Sequence, residues 1–376
     1  MKILIIGNQA RSVANFWTVL MHALKQANHE VVCCIPHGTT EEEERLKGCA
    51  DKLRFYFISR KSLNPLNDIK TYLELYHIFQ GEKPDIVFST TIKPVIYGAL
   101  AARFFPKIKY YATITGLGFA FEKDTLLKRI LNFLVVGLYR VALKRAQGIF
   151  FQNRDDLAVF RENKILDPKV SVFMAKGTGV DTSHFALKPL PAISSKQPLV
   201  FLFVGRLLEA KGLFELAKAS QYLREKNLPF KLQILGPQED GLGGVALEQI
   251  RKWESLNLLE YLGSTNDVAS YLANCHVLVL PSWREGLPTA AMEAMSCGRM
   301  CLLTDVPGCR EVVQKGLNGL LVPAKDPKAL SLAMEDCILH PEMVAKMGEA
   351  AGKLAREEFD AQIVAKKIMT DMKMES

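Results

Sequence analysis

Short apolar runs alternate with longer amphipathic segments along almost the whole chain of 376 residues. Runs rich in β-branched and aromatic side chains predict buried strands, and the longer segments between them have helical spacing. The predicted strands are Ile3–Ile6, Glu30–Ile35, Arg54–Ile58, Ile86–Ser89, Lys109–Ile114, Gly148–Phe151, Val170–Phe173, Leu199–Val204, Phe230–Leu235, Leu259–Leu262, His276–Leu280, Met300–Leu303 and Gly319–Val322. Helices are predicted at Ala14–Ala27, Pro65–Gln80 and Leu126–Arg145, among others. Alternating strands and helices indicate parallel sheets covered on both faces.

The pattern occurs twice, on either side of a segment rich in Pro and Ser, Lys188–Pro198, that has no apolar periodicity. We therefore predict an α/β protein with two doubly wound, Rossmann-like domains. The first covers 1–190, the second covers 191–350, and a C-terminal helix within 351–376 could pack back on the first. Parallel α/β sheets bind ligands beyond the carboxyl ends of their strands, so the expected site is a central cleft that both domains face.

Composition narrows the class of protein. With 49% hydrophobic and 23% charged residues, the chain is neither disordered nor fibrous. The eight cysteines include no C-x-x-C pair, and no histidines are spaced for zinc, so we expect buried, reduced thiols. The apolar stretch Ile130–Tyr139 is about half of the ~20 residues that cross a bilayer. The apolar start Ile3–Ile6 reads as a strand rather than a signal peptide, so the expected location is cytoplasmic.

Positive charge is concentrated in the first half of the chain. Residues 1–190 carry 27 basic and 17 acidic side chains, and the remainder carries 21 and 23. This imbalance predicts an anionic partner for the first domain. Basic residues also flank Ile130–Tyr139, as in helices at anionic lipid surfaces, although a buried helix with solvated ends has the same pattern. Nucleic acid is not an expected partner, because basic clusters interleaved with aromatic residues are absent.

The most informative motif follows the strand His276–Leu280 and reads PSWREGLPTAAMEA. Pro288 favours the first turn of a helix, whose free amides suit a phosphate group. Glu285 lies on the loop and Glu293 on the helix eight positions later, so helical periodicity alone does not place the two carboxylates on one face. Carboxylates accept hydrogen bonds from hydroxyls, and a sugar nucleotide offers hydroxyls on both its hexose and its ribose.

A second motif, GRLLEAKG, follows the strand Leu199–Val204. Arg206 and Lys211 at the carboxyl end of that strand could clamp a diphosphate, although a solvated loop is the alternative. The glutamate motif favours the clamp. No dinucleotide fingerprint, P-loop or serine-hydrolase elbow is present in the chain.

Together these motifs resemble glycosyltransferase family 4, whose members are retaining enzymes of GT-B architecture. The matching features are the E-x7-E signature at Glu285 and Glu293, the clamp at Arg206 and Lys211, and Gly179-Val180-Asp181. The resemblance implies that the clamp holds the donor diphosphate, that Glu285 contacts the transferred sugar and that Glu293 binds the ribose. It implies catalytic roles for Arg206, Lys211 and Glu285. The implied donor-binding residues are Gly7, Thr115, Gly116, Arg206, Lys211, Asn266, Asp267, Val268, Glu285, Gly286, Leu287, Pro288 and Glu293.

The first half is similar to a narrower group, bacterial enzymes that extend sugars linked to undecaprenyl diphosphate. The supporting phrases are SRKSLNP at 59–65, TIKP at 91–94 and TITGLGF at 113–119. This likeness implies transfer of a hexose or N-acetylhexosamine from a UDP-sugar to a lipid-diphosphate-linked sugar, at the inner face of the cell membrane, in polysaccharide or glycoprotein glycan assembly. The implied acceptor-binding residues are Arg11, Arg60, Asn64 and Lys93, with plain surface charge as the alternative for Arg60 and Lys93.

One departure from the family concerns the loop ITGLG at 114–118, where several members carry a histidine and this chain does not. Thr115 and neighbouring backbone groups would then line the reacting sugar. No Asp-x-Asp motif occurs, so we expect no metal and no other cofactor. Two alternatives stay open, a UDP-N-acetylglucosamine epimerase and a non-catalytic protein that binds nucleotide-sugars at the membrane surface, but the motifs match the transferase better.

Overall fold

The computed structural model describes residues 1–374 apart from 61, 63, 119–120, 122–124, 195–196, 240 and 242. Lys61, Leu63 and Phe119 of the acceptor-related phrases, and Ser195 and Lys196 of the Pro- and Ser-rich segment, lie outside the described residues. The chain forms two compact units, one of residues 1–178 with 361–376 and the other of residues 179–360.

The first unit contains a seven-stranded parallel sheet in the order β3-β2-β1-β4-β5-β6-β7. Its strands are β1 Lys2–Ile6, β2 Glu30–Ile35, β3 Lys52–Phe55, β4 Ile86–Thr90, β5 Lys109–Ile114, β6 Gly148–Phe151 and β7 Ser171–Met174. Its helices up to that point are α1 Ala10–Phe16, α2 Thr18–Gln26, α3 Thr40–Cys49, α4 Pro65–Glu82, α5 Ile92–Ala102, α6 Leu126–Leu143 and α7 Arg154–Glu162. Helices on both faces bury the central strands, which explains their unbroken apolar runs.

The second unit contains a six-stranded parallel sheet in the order β10-β9-β8-β11-β12-β13. Its strands are β8 Leu199–Val204, β9 Phe230–Leu235, β10 Glu260–Tyr261, β11 Val277–Leu280, β12 Met300–Thr304 and β13 Gly319–Val322. Its helices are α8 Leu213–Glu225, α9 Leu247–Ser255, α10 Val268–Ala273, α11 Thr289–Ser296, α12 Cys309–Val312, α13 Pro327–Leu339 and α14 Pro341–Leu354. The strand order reverses between β8 and β11, and ligands of such sheets bind where that reversal occurs.

Two predicted elements differ from the structure. The helix predicted at Ala14–Ala27 is two helices, α1 and α2, separated at Trp17, whose ring is 4% exposed and packs edge-on against Phe88 at 5.2 Å between centroids. The strand predicted at Arg54–Ile58 ends at Phe55, because the pairing with β2 runs only from Lys52 to Phe55.

The domain boundaries also differ from those predicted at 190/191 and 350/351. Residues 179–190 belong to the second unit because its elements bind them by hydrogen bonds. The Val180 amide donates to Phe359 O at 2.7 Å, and the Ser296 hydroxyl donates to Phe185 O at 2.6 Å. A π-helical turn, Ala355–Phe359, follows α14, and the chain leaves this unit only after Asp360.

The last helix, α15 Ala361–Asp371, belongs to the first unit. It packs on α2, with Val364 and Ile368 in the same apolar core as Leu20 and Leu24. The Tyr111 hydroxyl donates to Met372 O at 3.2 Å just beyond the helix. The first unit therefore combines residues 1–178 with a helix from the end of the given sequence, which packs on α2.

All eight cysteines are buried and unpaired, which confirms the prediction of buried, reduced thiols. Within the described ranges no helix is long and apolar enough to cross a membrane. The same ranges hold no cluster of His, Cys, Asp or Glu suited to a metal ion.

One fully buried guanidinium ties the segment before β8 to the sheet of the second unit. Arg299 Nε donates to Leu272 O at 2.9 Å, and Nη2 donates to Ala273 O at 2.9 Å and to Pro189 O at 3.0 Å. The first two acceptors are the last carbonyls of α10, where a cation is favourable.

We expect Arg299→Met to lower the free energy of unfolding by about 2–4 kcal/mol, because it leaves three buried carbonyls without a donor. Urea denaturation followed by circular dichroism measures this change. The matched control is Arg310→Met, which removes an exposed ion pair with Asp305 and should cost under about 1 kcal/mol. Equal effects of the two substitutions would contradict the structural role of Arg299.

Candidate active site

Two loops meet where the second sheet reverses its strand order. The loop 205–212 follows β8 and the loop 281–288 follows β11, and these strands are neighbours in the sheet. The Trp283 amide donates to Ala210 O at 2.9 Å across the two loops. Gly212 has φ +76°, and a Cβ there would stand 2.1 Å from Pro281 O. Only glycine permits this approach, so the two motifs form one surface.

The predicted catalytic residues Lys211 and Glu285 are in direct contact. Lys211 Nζ lies 2.5 Å from Glu285 Oε1, with both side chains more than three-quarters buried. The Ser282 hydroxyl donates to the same oxygen at 2.7 Å. These two contacts orient the carboxylate, and an ammonium has three protons, so Lys211 can bind a phosphate without releasing Glu285.

The end of strand β12 and the loop that follows it also pack against the loop that carries Glu285. The Thr304 hydroxyl donates to Ser282 O, and Gly308, at φ +80°, packs so closely that a Cβ would stand 2.4 Å from Gly286 O. The sequence analysis assigned no role to Ser282 or Thr304. Ser282 lies inside the glutamate motif and Thr304 directly follows the predicted strand Met300–Leu303, but the contact itself depends on the neighbouring positions of β11 and β12.

Arg206 is on the same loop as Lys211 but has another partner. Its Nη1 lies 3.3 Å from Glu239 Oε2, and its side chain is 54% exposed. Glu239 is on the loop that follows β9, and the sequence analysis did not single it out. Because an exposed pair of this kind is weak, the guanidinium can exchange Glu239 for an incoming anion.

Glu293 contrasts with Glu285, because no other described residue forms a hydrogen bond or ion pair with its carboxyl group. It lies half-buried on α11, and burial raises the pKa of its carboxyl to about 7. Glu285 precedes α11 by four residues and Glu293 lies in the middle of this helix, so the second unit presents one paired and one unpaired carboxylate.

The start of α11 has no side-chain cap. Pro288 is the N-cap residue, one position before the first turn in which the sequence analysis placed it. Gly286 and Leu287 complete the loop before it, with Leu287 buried. The first amides of an uncapped helix attract anions, and α11 begins four residues after Glu285, which Lys211 contacts.

The predicted donor-binding residues Asn266, Asp267 and Val268 follow β10, the edge strand of the sheet, which β9 separates from β8. Asp267 is the N-cap of α10 and accepts hydrogen bonds from the Ser270 hydroxyl at 2.6 Å and the Ser270 amide at 3.1 Å. The hydroxyl bond above all lowers the pKa of Asp267. Asp267 therefore has a structural role, and contact of these residues with a donor stays a prediction.

In the first unit, Gly7 follows β1, and Thr115 with Gly116 follows β5. Gly7 is buried, its carbonyl accepts from the Tyr56 hydroxyl at 2.8 Å, and a Cβ there would stand 2.2 Å from Val13 Cγ2. Its observed role is to let α1 pack closely. Thr115 and Gly116 are half-buried, and Gly116 has φ +133°, a conformation that favours glycine.

The four predicted acceptor-binding residues differ in their surroundings. Lys93 Nζ donates to Ser59 O at 2.8 Å, Ser62 O at 2.7 Å and Asp68 Oδ1 at 2.7 Å, so Lys93 is not a solvated surface charge. Asn64 caps α4 by accepting from the Leu66 amide at 3.0 Å. Lys93 therefore fixes Ser59 and Ser62 and Asn64 fixes the start of α4, while Arg60 and, on α1, Arg11 are exposed.

Two family models match the chain and together cover most of it. "Glycosyl transferases group 1" matches residues 191–354, and "Glycosyl transferase 4-like" matches residues 2–153. The chain belongs to glycosyltransferase family 4. It is therefore a glycosyltransferase rather than an epimerase or a non-catalytic binding protein, as the motifs around Glu285 and Lys211 favoured.

Two relatives are similar over much of this glycosyltransferase. It is 26% identical to the N,N'-diacetylbacillosaminyl-diphospho-undecaprenol alpha-1,3-N-acetylgalactosaminyltransferase of Campylobacter jejuni, over 98% of this chain and 97% of the relative. It is 27% identical to the UDP-Gal:alpha-D-GlcNAc-diphosphoundecaprenol alpha-1,3-galactosyltransferase of Escherichia coli, over 73% and 72%. The crystal structure of Anabaena HepE in complex with UDP superposes with a TM-score of 0.77 at 17% identity, covering 99% of this chain and 100% of HepE. The predicted GT-B fold is confirmed.

Glu293 makes the stability of the glycosyltransferase dependent on pH. Its pKa is about 7 in the folded protein against 4.5 in the unfolded chain, so the folded state binds the proton more tightly. Stability should fall as pH rises from about 4.5 to about 7 and change no further through this group, by an amount of the order of 3 kcal/mol. Urea denaturation at about pH 5 and pH 8 measures the loss.

Glu293→Gln is the control, because it removes the titrating group and should make the protein more stable than the wild type at pH 8 but not at pH 5. A carboxyl pKa near 4.5 in a carbon-13 NMR titration would show that burial does not act on Glu293 as described.

Proposed function

We propose that this glycosyltransferase moves a hexose or N-acetylhexosamine from a UDP-sugar to a sugar linked to undecaprenyl diphosphate. The observation that carries the proposal is the Lys211–Glu285 pair beside the uncapped start of α11. Both relatives are named as transferases acting on diphosphate-linked undecaprenol, and one covers nearly the whole chain. The product would enter a cell-surface polysaccharide or a glycoprotein glycan.

In this proposal the donor diphosphate lies at the start of α11, between Lys211 and Arg206. Lys211 contributes a compact charge that is already oriented by Glu285, and Arg206 contributes a planar guanidinium that leaves Glu239. Glu293, whose carboxyl has no partner within the described residues, accepts hydrogen bonds from the two ribose hydroxyls. Glu285 contacts hydroxyls of the sugar that is transferred.

Transfer breaks the bond between the anomeric carbon and the diphosphate, and negative charge develops on the departing phosphate. Lys211, Arg206 and the amides of α11 stabilise that charge where it develops. The acceptor hydroxyl attacks from the face that the diphosphate leaves, and a phosphate oxygen takes its proton, so the configuration is retained without a protein base. The two cations supply the charge that a metal would otherwise provide, and we propose catalysis without metal or cofactor.

The acceptor is proposed to bind the first unit at the inner face of the cell membrane. The sequence of α6 allowed a helix at a lipid surface or a buried helix, and the structure has features of both. Val136 and Tyr139 are buried, while Leu126 and Phe133 are 74% and 76% exposed. A helix that only filled the core would not expose such side chains. Apolar side chains among basic residues are typical of a helix lying on anionic lipid.

We expect Arg206→Ala and Glu285→Ala each to lower kcat/KM a few hundredfold or more, equivalent to about 3–4 kcal/mol of barrier. Release of UDP from the donor in the presence of acceptor measures the rate. The ion pair between Lys226, which follows α8, and Glu335 of α13 provides matched controls in Lys226→Ala and Glu335→Ala, which should leave the rate unchanged. Full activity in folded Arg206→Ala and Glu285→Ala variants would refute the site.

A panel of UDP- and GDP-sugars assayed with short-chain lipid diphosphate acceptors tests donor and acceptor together. We expect UDP release to require both a UDP-sugar and an acceptor, and to continue at the same rate in a metal chelator. Rate loss in chelator would refute the metal-independent mechanism. Absence of transfer with every pairing would refute the proposed function.

A further inference from the structure

The first unit has an apolar groove on the outer side of α5. This helix packs against both α4 and α6, and the two outer helices form the walls. The groove has a volume of about 920 Å³. Its walls include Ile69 and Tyr72 of α4 and Leu134 and Leu138 of α6, and its floor includes Ile96 and Leu100 of α5.

We propose that this groove holds the part of the acceptor's polyprenyl chain that lies nearest to the diphosphate. The inference rests on the proposed function, because it assumes a lipid diphosphate acceptor. It adds a binding site for the hydrocarbon within the protein, distinct from contact of α6 with the bilayer.

The topology places one end of the groove beside the predicted acceptor loop. In a parallel sheet with helical crossovers, α4, α5 and α6 all begin at the edge where the strands end. At this end the lining includes Ser62 and Lys93, and Lys93 holds the loop that carries Arg60 and Asn64. A diphosphate near that loop would direct its hydrocarbon into the groove.

The shape of the groove fits a narrow hydrocarbon chain. Leu127 and Leu138, which both line it, are eleven positions apart on α6, a rise of about 16 Å. The volume is at the upper end of the range for small-molecule sites. The groove therefore accommodates a segment of a polyprenyl chain rather than its full length.

The chemistry of the lining also favours hydrocarbon over a peptide. Of its charged side chains, Lys93 and Asp68 pair with each other at one end, and Arg103 lies at the opposite end of α5. Between them the walls are aliphatic and aromatic, and a bound peptide backbone would lose its hydrogen bonds to water there. An isoprenoid segment has no such groups to satisfy.

The floor of the groove is less exposed than the outer surface of α6, so this site differs from a face that lies flat on a bilayer. Ile96 is 2% exposed and Leu100 half-buried, whereas Phe133, outside the groove on the same helix as Leu134, is 76% exposed. A bilayer would contact Phe133 first, while a single chain can reach Leu100 on the floor.

Neighbouring residues of α6 provide a matched pair of variants. Leu134 lines the groove and is 56% exposed, and Phe133 is exposed but does not line it. Leu134→Lys and Phe133→Lys add the same charge to the same helix, so attraction to anionic lipid changes equally. We compare their KM values for soluble sugar diphosphates bearing one to three isoprene units, without lipid or micelles.

We expect the wild-type KM to fall at least about tenfold from one to three isoprene units, because each added unit buries apolar surface. Leu134→Lys should lose this dependence, and Phe133→Lys should keep it. Leu100→Trp, which fills the floor without adding charge, should also lose the dependence. Unchanged donor KM and circular dichroism would show that each variant is folded.

A wild-type KM that does not vary with chain length would overturn the proposal, as would equal losses in Leu134→Lys and Phe133→Lys. Binding of a fluorescent farnesyl diphosphate, measured without donor, separates this proposal from the proposed function. Probe binding weakened by Leu134→Lys but not by Phe133→Lys would support the groove even if no sugar were transferred. Sugar transfer without any dependence on the groove would refute the groove alone.

Discussion

The adjacency of β8 and β11 in the second sheet is the constraint on which the candidate active site depends. These strands are far apart in sequence, yet their carboxyl ends meet where the strand order reverses. The loops that follow them approach so closely at Gly212 that no side chain fits. The contact between Lys211 and Glu285 exists only because of this adjacency, and Ser282 and Thr304 then hold the carboxylate in place.

The buried charged groups of the second unit differ in whether the protein itself provides their hydrogen-bonding partners. Glu285 has a cation and a hydroxyl as partners, so its burial is compensated within the protein. Glu293 has neither, and burial therefore raises its pKa. A buried carboxyl group without hydrogen-bond donors lowers the stability of the fold, but it can accept hydrogen bonds from a ligand. Arg299 shows the opposite case, a buried cation that binds three backbone carbonyls through Nε and Nη2.

The first unit divides its polar and apolar groups between the loops at the carboxyl edge and the outer faces of the helices. Lys93 donates its three protons to Ser59 O and Ser62 O, on the loop before α4, and to the Asp68 carboxylate at the start of α4. Its contribution to an acceptor would come through the shape of that loop. Beyond it, α4 and α6 leave apolar side chains exposed that a fold without an apolar ligand would cover.

The sequence alone determined the fold class and supplied the candidate residues of the donor site. Strand positions follow from apolar runs, because a parallel sheet buries both faces of its central strands. The motifs at 205–212 and 281–294 identified Arg206, Lys211, Glu285 and Glu293 before any contact was known. Local patterns carry this information because each motif includes its own turn residues and its own charges.

Only the tertiary structure decided which groups meet. It paired Lys211 with Glu285, gave Arg206 the partner Glu239, and assigned Lys93 and Asp267 to structural hydrogen bonds. It also moved the unit boundaries to 178 and 360, because contacts rather than composition hold residues 179–190 to the second unit. Local spacing cannot predict such outcomes, since each joins residues that are brought together by strand order and helix packing rather than by their positions in the chain.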